Sequence, residues 1–163
     1  MTTYKIIKVT NEDTFDEKDL YNDIFDIINH NNKESLEEII ELTKGKINLD
    51  FSYEDGLFCA LAIQRGNVEI LKLLCEYDNT LISKHGIEML VDAIMYGQTE
   101  CVKYLIDDKK VNVDELKNTD AYNSFKKIES SIFDQHQQDF EPDQEQDSQA
   151  IGQASSHYIG EAY

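Results

Sequence analysis

The stretch ALAIQRGNVEILKLLCEY, residues 60–77, decides the fold. Two apolar groups flank a polar break, Gln64-Arg65-Gly66-Asn67. Ala60, Ala62 and Ile63 form the first group. Val68, Ile70, Leu71, Leu73, Leu74 and Cys75 form the second, with Glu69, Lys72 and Glu76 on the opposite side of a 3.6-residue period. Gly66 stands at the joint. Glycine takes the left-handed backbone that commonly ends a helix, so two short helices joined by a tight turn are expected. Neither helix is long enough to be stable alone in water, because nucleation is costly. The unit needs neighbours.

The neighbours are in the sequence. AIMYGQTECVKYLI, residues 93–106, repeats the pattern at an offset of 31 residues. Ala93 matches Ala62, Gly97 matches Gly66, Glu100 matches Glu69 and Lys103 matches Lys72. Upstream, IINHNNKESLEEIIEL, residues 27–42, is a weaker copy. Asn31 or Asn32 takes the glycine position, since asparagine also tolerates the left-handed region. About three extra residues are expected at this turn, with Ser35 capping the second helix and Glu38 completing a capping box. A second signal has the same period. KINLDF (46–51) and KVNVDE (110–115) place Asn48 and Asn112 64 residues apart, with Asn79 near the midpoint. Each marks a turn from one helix pair to the next.

These residues resemble the ankyrin repeat family. RGNVEILKLLCEY and YGQTECVKYLI are similar to the second half of that family's pattern. In the first half, Leu57-Phe58-Cys59-Ala60 and Glu88-Met89-Leu90-Val91 replace the family's Thr-Pro-Leu-His, so its Thr–His bonding is absent. The resemblance implies an all-α helix-turn-helix solenoid over residues 19–133, of about three repeats. Residues 19–44 would be a capping-type first repeat. Residues 115–133 would be a partial fourth, with a closing helix capped by Asp120 and carrying Ala121, Tyr122, Phe125, Ile128 and Ile132 at helical spacing. Residues 1–18 form a leader. Residues 134–163 hold seven acidic residues, seven glutamines and no Lys or Arg, an acidic tail expected to be disordered.

Composition narrows the function. Acidic residues outnumber basic ones by 33 to 15, a formal net charge of -18. That surface repels nucleic-acid backbones and anionic membranes, and Lys109-Lys110 and Lys126-Lys127 are isolated pairs rather than a basic patch. The longest apolar run, Leu57–Ile63, is too short to span a bilayer, and the first residues do not form a secretory signal. Cys59, Cys75 and Cys101 fall inside apolar helical patterns, as buried thiols of a reducing, cytoplasmic compartment do. His30, His85, His136 and His157 lack metal-ligand spacing, and no phosphate-binding glycine loop is present, so no cofactor, metal or catalytic residue is expected.

What remains is surface. Loop aromatics and arginine anchor interfaces. On a concave wall of loops and first helices, Phe51 and Tyr53 precede the second repeat, and Gln64 and Arg65 end its first helix. Lys84 and His85 precede the third repeat, and Tyr96 ends its first helix. The expected function is a monomeric, non-catalytic protein-binding module whose partner has a basic surface. The resemblance implies an alternative, an effector delivered into a host cell through its polar tail, since some bacterial members of the family are. A third reading is an enzyme's accessory domain, which would need a pocket gathering His85 with a cysteine or carboxylates.

Overall fold

The computed structural model describes residues 17–138, with side-chain surroundings through residue 131. The leader up to residue 16 and the tail from 139 lie outside the described residues, as does the side chain of Ile132. Among the described residues every regular element is helical, in keeping with the all-α solenoid expected.

Six helices form three antiparallel pairs. The first pair is α1 (Glu17–Asn29) with α2 (Lys33–Thr43). The second is α3 (Tyr53–Gln64) with α4 (Val68–Tyr77). The third is α5 (Leu81–Met95) with α6 (Thr99–Lys103), which runs on into a π turn, Tyr104–Asp108. The pairs stack in two layers. α3 lies between α1 and α5, and α4 lies between α2 and α6. Each helix buries one stripe against its neighbours: Leu20, Ile24, Ile27 and Ile28 from α1, Leu36 and Ile39 from α2, and Ile70, Leu71 and Leu74 from α4. A 3₁₀ turn at Val113–Leu116 packs on α5, and α7 (Asp120–Gln138) follows. The compact unit that holds the repeats closes at Glu129.

One hydrogen-bond pattern closes all three pairs. Asn67 donates its N–H to the Ala62 carbonyl at 2.9 Å, and Gly66 donates to Ile63 at 2.8 Å. Gln98 donates to Ala93 at 2.8 Å and Gly97 to Ile94 at 3.1 Å. Asn32 donates to Ile27 and Asn31 to Ile28, each at 3.0 Å. This is the Schellman termination, and it needs a left-handed residue. Gly66 and Gly97 both have φ 68°, and Asn31 has φ 56°. Ala62 and Ala93 are therefore equivalent, and both are fully buried.

Several sequence expectations are corrected at the connections. The first turn holds no extra residues, because Asn31 sits where Gly66 and Gly97 sit. The longer first period lies in the link from α2 to α3. Asn32, not Ser35, caps α2: its side chain accepts the Ser35 N–H at 3.0 Å. Asn67 caps α4 in the same way at 2.9 Å. Asn112 does shape its turn, accepting the Asp114 N–H at 3.0 Å. Asn48 is exposed, and the corresponding task falls to Asp50, which accepts from Ser52 N–H at 2.9 Å and Ser52 Oγ at 2.6 Å. Asp78 does the same for Thr80, at 2.9 and 2.7 Å. A carboxylate two residues before a hydroxyl residue satisfies that turn as well as asparagine does. Thr119, not Asp120, caps α7, its hydroxyl accepting the Tyr122 N–H at 3.3 Å. Helix α7 also continues past residue 133 to Gln138, into the first residues expected of the tail.

Candidate functional site: the exposed face of the first helices

The residues expected on the wall do not form one group. Tyr53, Phe51, Lys84 and His85 belong to the N-terminal ends of α3 and α5. Gln64, Arg65 and Tyr96 belong to their C-terminal ends. About eight helical residues separate the two groups on α3, roughly 12 Å.

Phe51 is corrected outright: it is fully buried. Its ring meets Phe58 edge-on at 6.0 Å and Tyr77 at 5.1 Å. A fully apolar ring in a loop gains most by turning under it, so Phe51 belongs to the core. Tyr53 is 38% exposed and stacks on Tyr21 at 4.7 Å with the rings 9° apart. The Tyr21 hydroxyl accepts the Asp50 N–H at 3.0 Å, which ties the loop back to α1.

Lys84 and His85 lie inside α5 rather than in a loop before it. LISKHGIEML contains Gly86, but that glycine keeps a right-handed backbone inside the helix rather than ending it, and Leu81 and Met89 bury on one side of it. The His85 ring packs over Gly56, where an added Cβ would come within 3.2 Å of Cγ. The Asp50 carboxyl is held below its ordinary value, first by the Ser52 hydroxyl and also by the charges of Lys84 and His85. The two cavities described are lined by Lys117–Asn123 and by outer-helix residues around Tyr104, and neither includes His85. Nothing in these surroundings favours the accessory-enzyme reading.

The C-terminal group forms a ladder between repeats. Arg65 donates to the Asn29 side chain of the preceding pair. Asn67 Nδ2 donates to Asn31 Oδ1 at 3.4 Å, and Gln98 Nε2 donates to the Gln64 carbonyl at 3.4 Å. Gln64 and Arg65 are thus exposed but already engaged in holding the repeats in register. Tyr96 is 51% exposed at the same level.

The shared turn register shows what the sequence reading missed. Counting back from Asn31, Gly66 and Gly97, three positions recur: Asn29, Gln64 and Met95; Phe25, Ala60 and Val91; Asn22, Leu57 and Glu88. These are the outward positions of α1, α3 and α5. Met95 is 61% exposed and Phe25 37%. The stripe is therefore apolar in part, and it ends on Met95 and Tyr96. The missed signal was Met95, an apolar residue at a place that is polar in both preceding repeats.

Carboxylates border the stripe. Burial raises the Asp92 carboxyl above its ordinary value, and Glu88 adds to the effect. Burial also raises Asp23, helped by Asp19 and Asp26. The outer helices differ, pairing their charges as Lys33–Glu37, Lys72–Glu69 and Lys103–Glu100. A raised carboxyl weakens the fold as pH climbs, because the unfolded chain gives up its proton more easily. We therefore expect Asp92→Asn to be more stable than the parent at pH 7. The gain should shrink as pH falls towards 3.8, the unperturbed value. Urea melts at pH 7 and pH 4 check this; an equal difference at both would contradict it.

Among the described residues no helix is long and apolar enough to cross a membrane, and no group of His, Cys, Asp and Glu could hold a metal ion. The ankyrin repeat family model (three copies) matches residues 24–116, more than half of the chain. Neither the curated proteins nor the solved structures contain a match. Ankyrin repeats are generally protein–protein interaction modules. The equivalence of the three turns, the two-layered stack and the family match lead to one conclusion: this chain belongs to the ankyrin repeat family.

Proposed function

We propose that the chain is a non-catalytic protein-binding module. Its ligand face is the outward stripe of α1, α3 and α5, and its partner presents apolar side chains beside basic ones. The observation that carries this reading is the exposure of Met95 (61%) and Tyr96 (51%) side by side at the end of a helix whose remaining apolar residues are largely covered. Large apolar and aromatic side chains on a rigid scaffold are typical interface anchors. Asp23, Asp26, Glu88 and Asp92 supply the negative border, and a cation brought by a partner would relieve Asp92 and Asp23 of the neighbouring carboxylates. The rest of the surface adds long-range attraction, given the net charge of -18.

The test is a double variant, Met95→Ala with Tyr96→Ala. Both side chains are largely solvated, so the melting temperature should stay close to that of the parent. Captured on a column from cell extract, the partner should be recovered roughly 30-fold less well, the effect of losing about 2 kcal/mol of anchor. Recovery from the parent should also fall as salt rises, since exposed charges are screened within about 8 Å at 0.15 M. Undiminished capture by the double variant would remove Met95 and Tyr96 from the interface.

A further inference from the structure

A ligand for the face of the first helices must bring apolar side chains beside basic ones, and the chain itself contains such a segment. Residues 4–9, YKIIKV, set Tyr4, Ile6, Ile7 and Val9 around Lys5 and Lys8, and residues 1–11 contain no carboxylate. The opposite flank does not match, since residues 139–163 contain no Lys or Arg. The face is complementary in charge. Helices α1, α3 and α5 carry eight carboxylates against Lys18 and Lys84. Arg65, just past α3, is engaged with Asn29. The ion pairs of the second helices, Lys33–Glu37, Lys72–Glu69 and Lys103–Glu100, leave those carboxylates aside. Among them stand three exposed apolar side chains, Met95, Tyr96 and Phe25. The reach is sufficient. From Glu17 to the level of Asn29 is about 18 Å along α1. Helix α5 lies beyond α3, two helix spacings of about 8–10 Å each from α1. Met95, at the level of Asn29, is therefore about 24–27 Å from the start of α1. The chain from Ile7 to Glu17 can extend to about 33 Å.

We propose that the leader is an intramolecular ligand of this face. Residues 4–9 occupy the outward stripe of α1, α3 and α5 in the same molecule, with their apolar side chains against Met95 and Tyr96 and their two ammonium groups among the carboxylates. Because it rests on the ligand face proposed above, the contact is also a means of regulation: a protein partner binds by displacing the leader. The energetics are modest and adequate. A short tether holds its end at an effective concentration of roughly 1 mM, so a weak contact of about 0.1 mM is closed in about nine chains of ten. A competing partner then binds about ten-fold more weakly than it would to the bare face. Like charge keeps the acidic tail from taking the same place.

The chain contains no tryptophan, so Ile7→Trp in the full-length protein gives a single indole whose emission reports its own surroundings. With the leader docked, that emission should lie to the blue of the same chain unfolded in urea. Adding Lys5→Glu and Lys8→Glu should return it to the red. Adding Met95→Ala and Tyr96→Ala instead should do the same. The first pair lies outside the described helices, so its reading does not depend on how the second pair affects folding. The shift should not change on dilution. Emission no bluer than in urea, a blue emission that survives either pair of substitutions, or one lost on dilution, which would mean that the leader sits on a second copy, would each overturn the proposal. Its failure is distinct from failure of the protein-binding reading. Unshifted emission, with partner capture still lost in Met95→Ala, Tyr96→Ala, sinks the leader and keeps the face. A shift that needs Met95 and Tyr96, with capture undiminished in their absence, keeps the leader on the face and removes the partner from it.

Discussion

Phe51→Ala is expected to lower the free energy of unfolding by about 3–5 kcal/mol, the range for emptying a buried aromatic site. The ring is at 0% exposure, with Phe58 and Tyr77 set edge-on around it. Those edge-on contacts add to the burial, and neither neighbour can swing into the gap without leaving its own helix. Domains of this size are stable by only about 5–15 kcal/mol, so the loss is a large share of the total. The urea midpoint should drop with an unchanged slope, and the melting temperature should fall by roughly 10–25 °C. The same substitution at Tyr53, which is 38% exposed, should cost much less, because one face of its ring already meets water. Equal losses at the two positions would show that Phe51 is not enclosed as described.

The second large effect concerns the start of α3. Glu54, Asp55 and Gly56 have φ of 46°, 56° and 81°, one left-handed turn before the right-handed helix begins. For residues with a Cβ this costs about 1–2 kcal/mol each. Gly56→Ala adds that cost and also sets a methyl 3.2–3.3 Å from the His85 ring, which must move. We expect a loss of about 2–4 kcal/mol in total. Glu54→Gly should move the other way and gain up to about 1 kcal/mol, since relief of strain exceeds the added chain entropy. Asp55→Gly should gain less, because aspartate is at home in this region. The comparison is made by urea melts of the three variants. A destabilised Glu54→Gly together with a neutral Gly56→Ala would mean that the turn is right-handed after all. The turn matters to the surface: it sets the direction in which Tyr53 leaves the chain to stack on Tyr21, and it makes room for His85.

These two sites also show where reading the sequence stops. Gly66 and Gly97 were legible as helix stops, and the first stop was narrowed to Asn31 or Asn32, because few residue types tolerate the backbone found there; the structure decides for Asn31. Lys84 and His85 were misplaced because Gly86, of the residue type that ends the helices at Gly66 and Gly97, lies inside α5 instead, and a solvated lysine looks alike in loop and helix. The EDG turn was invisible, since glutamate carries no preference for positive φ that could announce it. On the proposed face, Tyr96 could be named from its place before a glycine. Met95 and Phe25 were not named, because each fits a buried helical stripe equally well until the three copies are lined up on Asn31, Gly66 and Gly97.

The pattern of residues alone determined that the chain is a stack of helix pairs with a period near 31, hinged at Gly66 and Gly97. Periodicity and backbone preference are local properties, and each stretch of chain carries its own record of them. Only the tertiary structure decided that Phe51 is enclosed while Tyr53 is half in water, and that Met95 faces outward. Burial and contact depend on what distant segments bring to the same place. Phe58 and Tyr77 close over one ring, and Tyr21 covers one side of the other.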